Sequence, residues 1–183
     1  HFNILTIFPE MFPGTLAGGV VGRALDKKIW TYDVVNIRDF AINSYGSVDD
    51  TQFGGGAGMV MRPDCLGDAL DSIKNRGKII YFSPRGATLN QKMVREFVSN
   101  PDAVYTLLCG RYEGIDERII QEYDIMELSI GDYILSGGEI PAQVFVDSCV
   151  RLLDNVVHGG DDTTQNESFE IGGLEWPLYT RPS

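Results

Sequence analysis

The residues best suited to chemistry lie in three glycine-containing segments, each of which follows a short apolar run. The segments cover residues 83–86, 110–114 and 130–138. Each alone could be an ordinary turn. Glycine and proline, however, leave backbone N–H and C=O groups free to bind a ligand, and Tyr133 and Leu135 could cover the face of a flat ring. If the segments converge, they predict a backbone-lined pocket for an adenine nucleoside.

The elements that must position these segments alternate between strand and helix. Apolar runs predict strands at Asn3–Phe8, Thr31–Ile37, Lys78–Phe82, Ala103–Cys109 and Ile125–Ser129. Helical patterns lie at Gly18–Lys28, Pro63–Lys74, Asn90–Val98, Asp116–Tyr123 and Glu139–Leu153, while residues 43–58 are a long polar and glycine-rich stretch. Alternation of this kind predicts an α/β fold with a mostly parallel sheet and helices on both faces. Such sheets bind ligands beyond the carboxyl ends of their strands, so we expect the three segments at one site.

Composition limits the class of protein. The chain has 183 residues, of which 43% are hydrophobic and 22% charged, as in one ordinary globular domain. No apolar run approaches the roughly 20 residues of a membrane span. Cys65, Cys109 and Cys149 are far apart in sequence, and we expect buried free thiols and a cytoplasmic location. Two histidines and no Cys-x-x-Cys pair argue against a zinc site.

Charge is distributed unevenly along the chain. Residues 1–100 carry 11 Lys and Arg against 10 Asp and Glu, whereas residues 101–183 carry 4 against 16. A protein that grips nucleic acid by itself normally shows a basic surface. The charge pattern therefore argues against strong nucleic-acid binding by this chain alone.

Several longer stretches resemble a known family. Residues 107–118 read Leu-Leu-Cys-Gly-Arg-Tyr-Glu-Gly-Ile-Asp-Glu-Arg, and residues 129–139 read Ser-Ile-Gly-Asp-Tyr-Ile-Leu-Ser-Gly-Gly-Glu. Shorter matches reach from one end of the chain to the other, at Phe8–Phe12, Val48–Asp50, Gly54–Met61, Tyr81–Gly86 and Tyr179–Pro182. Together they resemble the bacterial tRNA guanine-N1 methyltransferases, the TrmD type of the SPOUT class.

This resemblance implies a fold, a reaction and partners. The implied fold is an α/β sheet with a deep trefoil knot, whose loops hold S-adenosylmethionine as methyl donor. The implied reaction is methylation of N1 of the guanosine immediately 3′ of the anticodon in tRNA. The family acts as a homodimer whose active sites are shared between subunits, Mg²⁺ is implicated, and no membrane partner is expected.

The resemblance and the three segments together assign a donor pocket. Its expected residues are Tyr81, Phe82, Ser83, Pro84, Gly110, Tyr112, Glu113, Ser129, Ile130, Gly131, Tyr133, Leu135, Gly137 and Gly138. By the same resemblance Asp50, Gly55 and Gly56 are expected to contact the substrate, although Asp50 could simply be a turn residue.

Two further residues are expected to act on the guanine. Removal of the N1 proton places negative charge on O6, and Arg151 is the candidate cation that stabilises it. The resemblance assigns the general base to Glu167, with Asp161 and Asp162 as alternatives. The plainer interpretations are a last-turn arginine that satisfies a helix dipole and a solvated acidic loop.

The sequence departs from the family pattern at a few positions. Glu167 stands where the family has Asp, and Arg85 where it has Gln. Phe53, Ala57 and Leu178 replace Tyr, Pro and His. The changes at 53 and 178 remove polar groups that could meet RNA.

We expect residues 1–158 to form the catalytic domain. Residues 159–183 are expected to be a flexible linker and the start of a C-terminal tRNA-binding domain that this chain lacks. Alternatively, tRNA could bind a basic stripe of Arg23, Lys27, Lys28 and Arg38. Two other functions stay open, namely a related methyltransferase for a different RNA base and a non-catalytic nucleoside-binding or dimerising module.

Overall fold

The chain folds into seven strands and five α-helices within the residues that the computed structural model describes, which are 1–158, 164, 167–170 and 172–181. The strands are β1 (Phe2–Thr6), β2 (Tyr32–Asn36), β3 (Asp49–Thr51), β4 (Met59–Met61), β5 (Lys78–Thr88), β6 (Tyr105–Leu108) and β7 (Met126–Ser129). The helices are α1 (Gly19–Asp26), α2 (Pro63–Asp71), α3 (Gln91–Val98), α4 (Glu117–Glu122) and α5 (Glu139–Val150). Short 3₁₀ turns lie at Pro9–Met11, Gly14–Ala17 and Ile37–Phe40.

Five strands form one parallel sheet in the order β2-β1-β6-β5-β7. Every pair of neighbours in it is parallel, which confirms the predicted sheet type. The strands in the middle of the sheet, β1 and β6 and the first half of β5, are apolar runs that are buried on both faces, as parallel sheets require, whereas the edge strand β2 is only partly buried. Because all five run in one direction, the carboxyl ends of β5, β6 and β7 lie along one edge.

Helices cover both faces of the sheet, as predicted. On one face α1, α3 and α5 pack on β-strand side chains such as Ile4, Ile80 and Leu107. On the other face α2 and α4 pack on Leu5 and Leu108. No helix among the described residues is long and apolar enough to cross a bilayer.

The side chain of Phe145, on α5, packs against α3 on the same face of the sheet. It is fully buried, and its ring lies 5.0 Å from Phe97, 6.0 Å from Phe82 and 6.3 Å from Phe2. Edge-on aromatic contacts of this kind add roughly 0.5–1.5 kcal/mol each beyond the area they bury. The relative placement of α3 and α5 is therefore well determined.

The polar, glycine-rich stretch at 43–58, for which no element was predicted from the sequence, contains the first strand of a hairpin. β3 pairs antiparallel with β4, and the glycines at 54–58 make the turn between them. Each strand has three residues, which is too short for a two-residue periodicity to stand out in sequence. The hairpin is attached to the main body through buried Val48 and Met61.

The prediction that β5 ends at Phe82 is wrong, because the strand resumes after an interruption. Phe82 and Ala87 both pair with Leu128, so residues 83–86 bulge out of the strand. A Cβ on Gly86 would lie 2.5 Å from the backbone of Glu127, so only glycine allows the strand to return to β7. The segments 110–114 and 130–138 do follow strand ends, as predicted. The trefoil knot stays a prediction, since strand order and register alone do not define how the chain threads.

Candidate functional site

The three glycine-containing segments meet in one cavity at the carboxyl ends of β5, β6 and β7. Its volume is about 360 Å³, within the range of sites for small ligands. All of the expected donor-pocket residues line it: Tyr81, Phe82, Ser83, Pro84, Gly110, Tyr112, Glu113, Ser129, Ile130, Gly131, Tyr133, Leu135, Gly137 and Gly138. The sequence interpretation therefore identified one real concavity.

Glycines allow two of the segments to pack backbone against backbone. The N–H of Gly138 donates to the carbonyl oxygen of Gly110 over 2.9 Å. A Cβ at Gly138 would lie 2.7 Å from the Cα of Cys109, and one at Gly110 would lie 2.5 Å from the ring of Tyr81. Real Cβ atoms do not approach so closely, so a larger residue at Gly138 requires a shift of the backbone, and one at Gly110 requires the Tyr81 ring to move.

Polar and aromatic side chains shape the mouth of the cavity. Ser129 Oγ donates to the carbonyl oxygen of Gly131 and accepts from its N–H, both over 3.2 Å. The hydroxyl of Tyr133 donates to the carbonyl oxygen of Ile130 over 3.0 Å, and the Tyr133 ring stays half exposed. Deeper in the cavity, burial raises the pKa of the Tyr81 phenol, so this group is neutral at physiological pH.

Arg111 lines the cavity and forms an ion pair, not predicted from the sequence, with Glu139 behind it. Arg111 Nη2 lies 2.8 Å from Glu139 Oε2, and Glu139 is fully buried at the start of α5. Glu139 Oε1 also accepts a hydrogen bond from Thr6 Oγ1 over 2.7 Å. Arg111 Nη1 donates to the carbonyl oxygen of Ser136 over 2.9 Å. The Arg111 guanidinium lies 4.6 Å from the Phe8 ring centroid. Removing one partner of such a buried pair typically costs about 3–5 kcal/mol. An arginine between two glycines was the signal in the sequence, but its partner lies 28 positions away.

Arg151 and Glu167 form a second ion pair, outside the cavity. Arg151 Nη1 and Nη2 donate to the two Glu167 carboxylate oxygens over 2.7 Å and 2.6 Å, the forked geometry that makes such pairs strong. The Arg151 guanidinium lowers the pKa of Glu167, and the carboxylate raises that of Arg151. The alternatives Asp161 and Asp162 lie outside the described residues.

Within a single chain, the Arg151–Glu167 pair and the cavity lie at opposite ends of α5. The cavity is lined at the N-terminal end of α5, by Gly138 and Pro141, whereas Arg151 follows the C-terminal end and lines a different hollow with Leu152–Asn155. Twelve helical residues at about 1.5 Å each separate the two ends by about 18 Å. The expected catalytic pair and donor pocket of a single chain are therefore two separate places.

The expected substrate residues lie on the β3–β4 hairpin. Asp50 Oδ2 is 3.4 Å from Arg62 Nη1, and Gly55 and Gly56 are in the turn; none of the three lines the cavity. The base of the hairpin does touch its rim, because the Glu113 N–H donates to the carbonyl oxygen of Met59 over 2.9 Å. The hairpin is thus a neighbour of the cavity rather than a part of it.

Comparison with known proteins decides the family. The family described as tRNA (Guanine-1)-methyltransferase TrmD matches residues 1–183. The chain belongs to this family. It is 55% identical to the tRNA (guanine-N(1)-)-methyltransferase of Wolbachia pipientis wMel over 187 residues, which cover all of this chain and 78% of the relative. It is 51% identical to that of Rickettsia akari (strain Hartford) over 190 residues, which cover all of this chain and 80% of the relative.

Arg85 has a defined role in this TrmD-family chain that the sequence did not reveal. Its Nη2 lies 3.0 Å from Glu117 Oε2 at the start of α4 and 3.4 Å from Glu127 Oε1 on β7. The Glu117 carboxylate is the main cause of the raised pKa of Arg85. The bulge at 83–86 is therefore tied to two neighbouring elements through one side chain.

Among the residues that the structure describes in this TrmD-family chain, no group of three or more His, Cys, Asp or Glu side chains is placed to hold a metal ion.

Proposed function

We propose that this chain catalyses methyl transfer from S-adenosylmethionine to N1 of guanosine in tRNA, at the guanosine immediately 3′ of the anticodon. The observation that carries the proposal is the family match over residues 1–183. Within the family fold, the cavity at the carboxyl ends of β5, β6 and β7 is the place where an α/β sheet binds its ligand.

The cavity suits a nucleoside with a positively charged tail. Backbone packing of Gly110 against Gly138 leaves peptide groups, rather than side chains, along its floor. Tyr133 and Leu135 stand at the mouth as partly exposed apolar surfaces, and the carboxylate of Glu113 lies among the lining groups. When bound there, S-adenosylmethionine supplies a methyl group already activated by its sulfonium.

The Arg151–Glu167 pair matches the edge of guanine that must react. Guanine offers an acceptor at O6 beside a donor at N1–H, and the pair offers guanidinium donors beside carboxylate acceptors. A guanine can therefore insert between the two side chains and exchange their mutual hydrogen bonds for its own. Adenine presents the reverse order, a donor at N6 and an acceptor at N1, and leaves both side chains mismatched.

The two side chains then divide the chemistry. Glu167 takes the N1 proton as the new bond between N1 and the methyl carbon forms, and the electron pair of the broken carbon–sulfur bond stays on sulfur. Arg151 stabilises the negative charge that deprotonation places on O6. General-base help of this kind contributes about 10²–10⁴-fold to rate. Pairing with Arg151 lowers the pKa of Glu167, which keeps the carboxylate ionised in the free protein but makes it a weak base. When guanine replaces the hydrogen bonds between the two side chains, the main cause of that lowering is removed, and Glu167 becomes a stronger base at the step where it takes the proton.

The separation within one chain leads us to propose a homodimer with shared active sites. About 18 Å lies between the cavity and Arg151 along α5, which is too far for direct transfer. On α5 itself, Ile140 and Val144 are 49% and 41% exposed, and Ile134 beside the cavity is 80% exposed. Contiguous exposed apolar side chains favour a protein contact. A second copy seated on this surface would bring its own Arg151 and Glu167 to the first copy's cavity.

We also propose that residues 1–158 are the catalytic domain and that 159–183 lead towards a tRNA-binding domain. The matched relatives are longer than this chain, which covers 80% of the Rickettsia akari protein. A separate domain would supply the basic surface that residues 101–183 lack. Since tRNA is the substrate, we expect the enzyme in the cytoplasm.

The test is methyl transfer from labelled S-adenosylmethionine to two tRNA transcripts that differ in one base. One carries guanosine immediately 3′ of the anticodon and the other adenosine. The 183-residue chain is assayed beside a version extended after Ser183 with the C-terminal region of the Rickettsia akari relative. Label on the guanosine transcript alone supports the proposal, and label with the extended version alone assigns tRNA grip to the added region.

Absence of label from both transcripts in both versions, with donor binding retained, would contradict the assignment. That result would favour a non-catalytic nucleoside-binding module. Label on the adenosine transcript would instead indicate a related methyltransferase with a different target base.

A further inference from the structure

The segment that carries Glu167 is held on α3 by a second, separate ion pair. Arg95 Nε lies 2.7 Å from Glu170 Oε1, and Gln91 Nε2 donates to the same oxygen over 2.6 Å. Arg95 Nη2 also donates to the carbonyl oxygen of Thr164 over 3.0 Å. The Arg95 and Glu170 side chains are 29% and 15% exposed, so solvent screens this ion pair less than most surface pairs.

The short spacing between Glu167 and Glu170 links the two ion pairs mechanically. The Glu170 N–H donates to the carbonyl oxygen of Glu167 over 3.1 Å, so the two residues form one turn. Fixing Glu170 on α3 therefore fixes the backbone of Glu167. The support is rigid, because α3 packs on α5 through Phe97 and Phe145, whose rings lie 5.0 Å apart.

We propose that Arg95 and Glu170 are positioning residues for methyl transfer, because their ion pair holds Glu167 where it meets Arg151 and the guanine edge. The inference rests on the proposed function, in which Glu167 is the base. Neither Arg95 nor Glu170 lines the cavity, so neither touches the donor. They act through the placement of one carboxylate.

The charge of Arg95 provides a readout that a merely structural role would not change. Arg151 is the main cause of the lowered pKa of Glu167, and Arg95 adds to it. Among the residues that the structure describes, the other charged groups that act on this pair are Asp147 on α5 and Glu170, both through Arg151. Loss of the Arg95 charge raises the pKa of Glu167. The acid limb of the kcat–pH profile, which follows ionisation of the base, then moves to higher pH.

The experiment compares kcat, at saturating donor and tRNA, for variants of whichever protein form transfers methyl groups in the transcript assay. Arg95→Gln and Glu170→Gln are each expected to lower kcat roughly tenfold, as a misplaced catalytic group does. Donor affinity, measured by calorimetry, should stay within about twofold because the cavity is untouched. The double variant Arg95→Glu with Glu170→Arg, in which the two charges are exchanged, should recover most of the kcat that the single variants lose. Arg95→Lys should keep the acid limb of the wild type.

Arg76→Gln is the matched control. It removes an ion pair of the same 2.7 Å length, between Arg76 and Asp71, at the end of α2 on the opposite face of the sheet. Its kcat and pH profile should equal those of the wild type. A kcat for Arg95→Gln within about twofold of the wild type, with Glu167→Gln inactive, would overturn the inference while the proposed function stands.

An exchanged pair no more active than the single variants, in protein with unchanged donor affinity and Tm, would also overturn it. If wild-type protein transfers no methyl group to tRNA, the proposed function fails and this inference fails with it. The wild-type and Glu167→Gln assays therefore separate the two failures.

Discussion

Close contacts of single atoms determine which substitutions the cavity tolerates, and Gly138 is the clearest example. A methyl group added there meets the backbone of Cys109 at 2.7 Å, which no rotamer change relieves. We expect Gly138→Ala to weaken donor binding about 5- to 100-fold, because overpacking costs about 1–3 kcal/mol. Ser83→Ala loses one hydrogen bond, from the Arg85 N–H over 3.2 Å, and should weaken binding only a few-fold. Calorimetric titration with the donor measures both, and equal losses would argue against a backbone-lined floor.

Asp64, in the first turn of α2, should make stability depend on acidic pH. Hydrogen bonding to Arg62 lowers the Asp64 pKa to about 2, from an ordinary 3.8. A carboxylate with a depressed folded-state pKa adds stability above its unfolded pKa, and that stability is lost as pH falls through the folded value. Asp64→Asn should therefore lower Tm by about 1–3 °C at pH 7, since Asp64 is largely exposed. The difference from the wild type should shrink as pH falls from about 4 towards 2, and a difference that stays constant over this range would contradict the role of the Asp64 charge.

From the sequence it was possible to predict that residues at neighbouring strand ends converge on one cavity, but not which side chains would pair when the partners are distant in the chain. The glycines at 110 and 137–138 could be assigned because each directly follows or precedes a recognisable element. The Arg111–Glu139 pair could not, since nothing local indicates which carboxylate will meet the arginine. The same limit applied to Glu170, which lies 75 positions from Arg95.

The bulge at 83–86 in β5 is the element whose position should affect donor binding most directly. Arg85 bridges this bulge to Glu117 on α4 and Glu127 on β7, while Ser83 and Pro84 line the cavity. We expect Arg85→Gln to weaken donor binding about two- to fivefold with little change in Tm, because an exposed pair contributes little to global stability. Fluorescence titration with the donor checks the shift.

Glu122→Gln, at the far end of α4, is the control for the bulge. Glu117→Gln should reproduce part of the Arg85 effect, and Glu122→Gln should have none. Identical donor affinities for Arg85→Gln and the wild type would mean that the packing of Gly86 against β7 is enough to position the bulge and that the Arg85 ion pairs are not needed.

Helices were easier to predict than the hairpin, for physical reasons. Asn90 and Asp116 cap α3 and α4, with side chains that accept hydrogen bonds from the Met93 and Arg118 N–H groups. Such caps and the 3.6-residue period are local and can be read from sequence. The pairing of β3 with β4 depends on contacts across the glycine turn, and its two short strands have no periodicity of their own.

For the whole molecule, the exposed apolar side of α5 predicts association. Val144 is 41% and Ile140 49% exposed on a helix whose other side is buried in the core. Val144→Glu should convert a dimer into monomers and abolish methyl transfer, because a buried charge at an interface costs several kcal/mol. Sedimentation velocity measures the first effect and the transcript assay the second. Gln121→Glu adds the same charge on the opposite face and should stay dimeric; a fully active Val144→Glu monomer would contradict shared active sites.

The three buried cysteines allow the opening rates of the two sides of the sheet to be measured separately. Cys65, on α2, lies in the core between the sheet and the helices α2 and α4, whereas Cys149, on α5, and Cys109, after β6, lie in the core on the other face of the sheet. Burial raises all three thiol pKa values, that of Cys149 to about 12, so alkylating reagents, which attack the thiolate, must wait for the protein to open. Mass spectrometry of labelled peptides therefore reports an opening rate for each side of the sheet. Equal rates would mean that the molecule opens as one unit, and unequal rates would show which half loosens first.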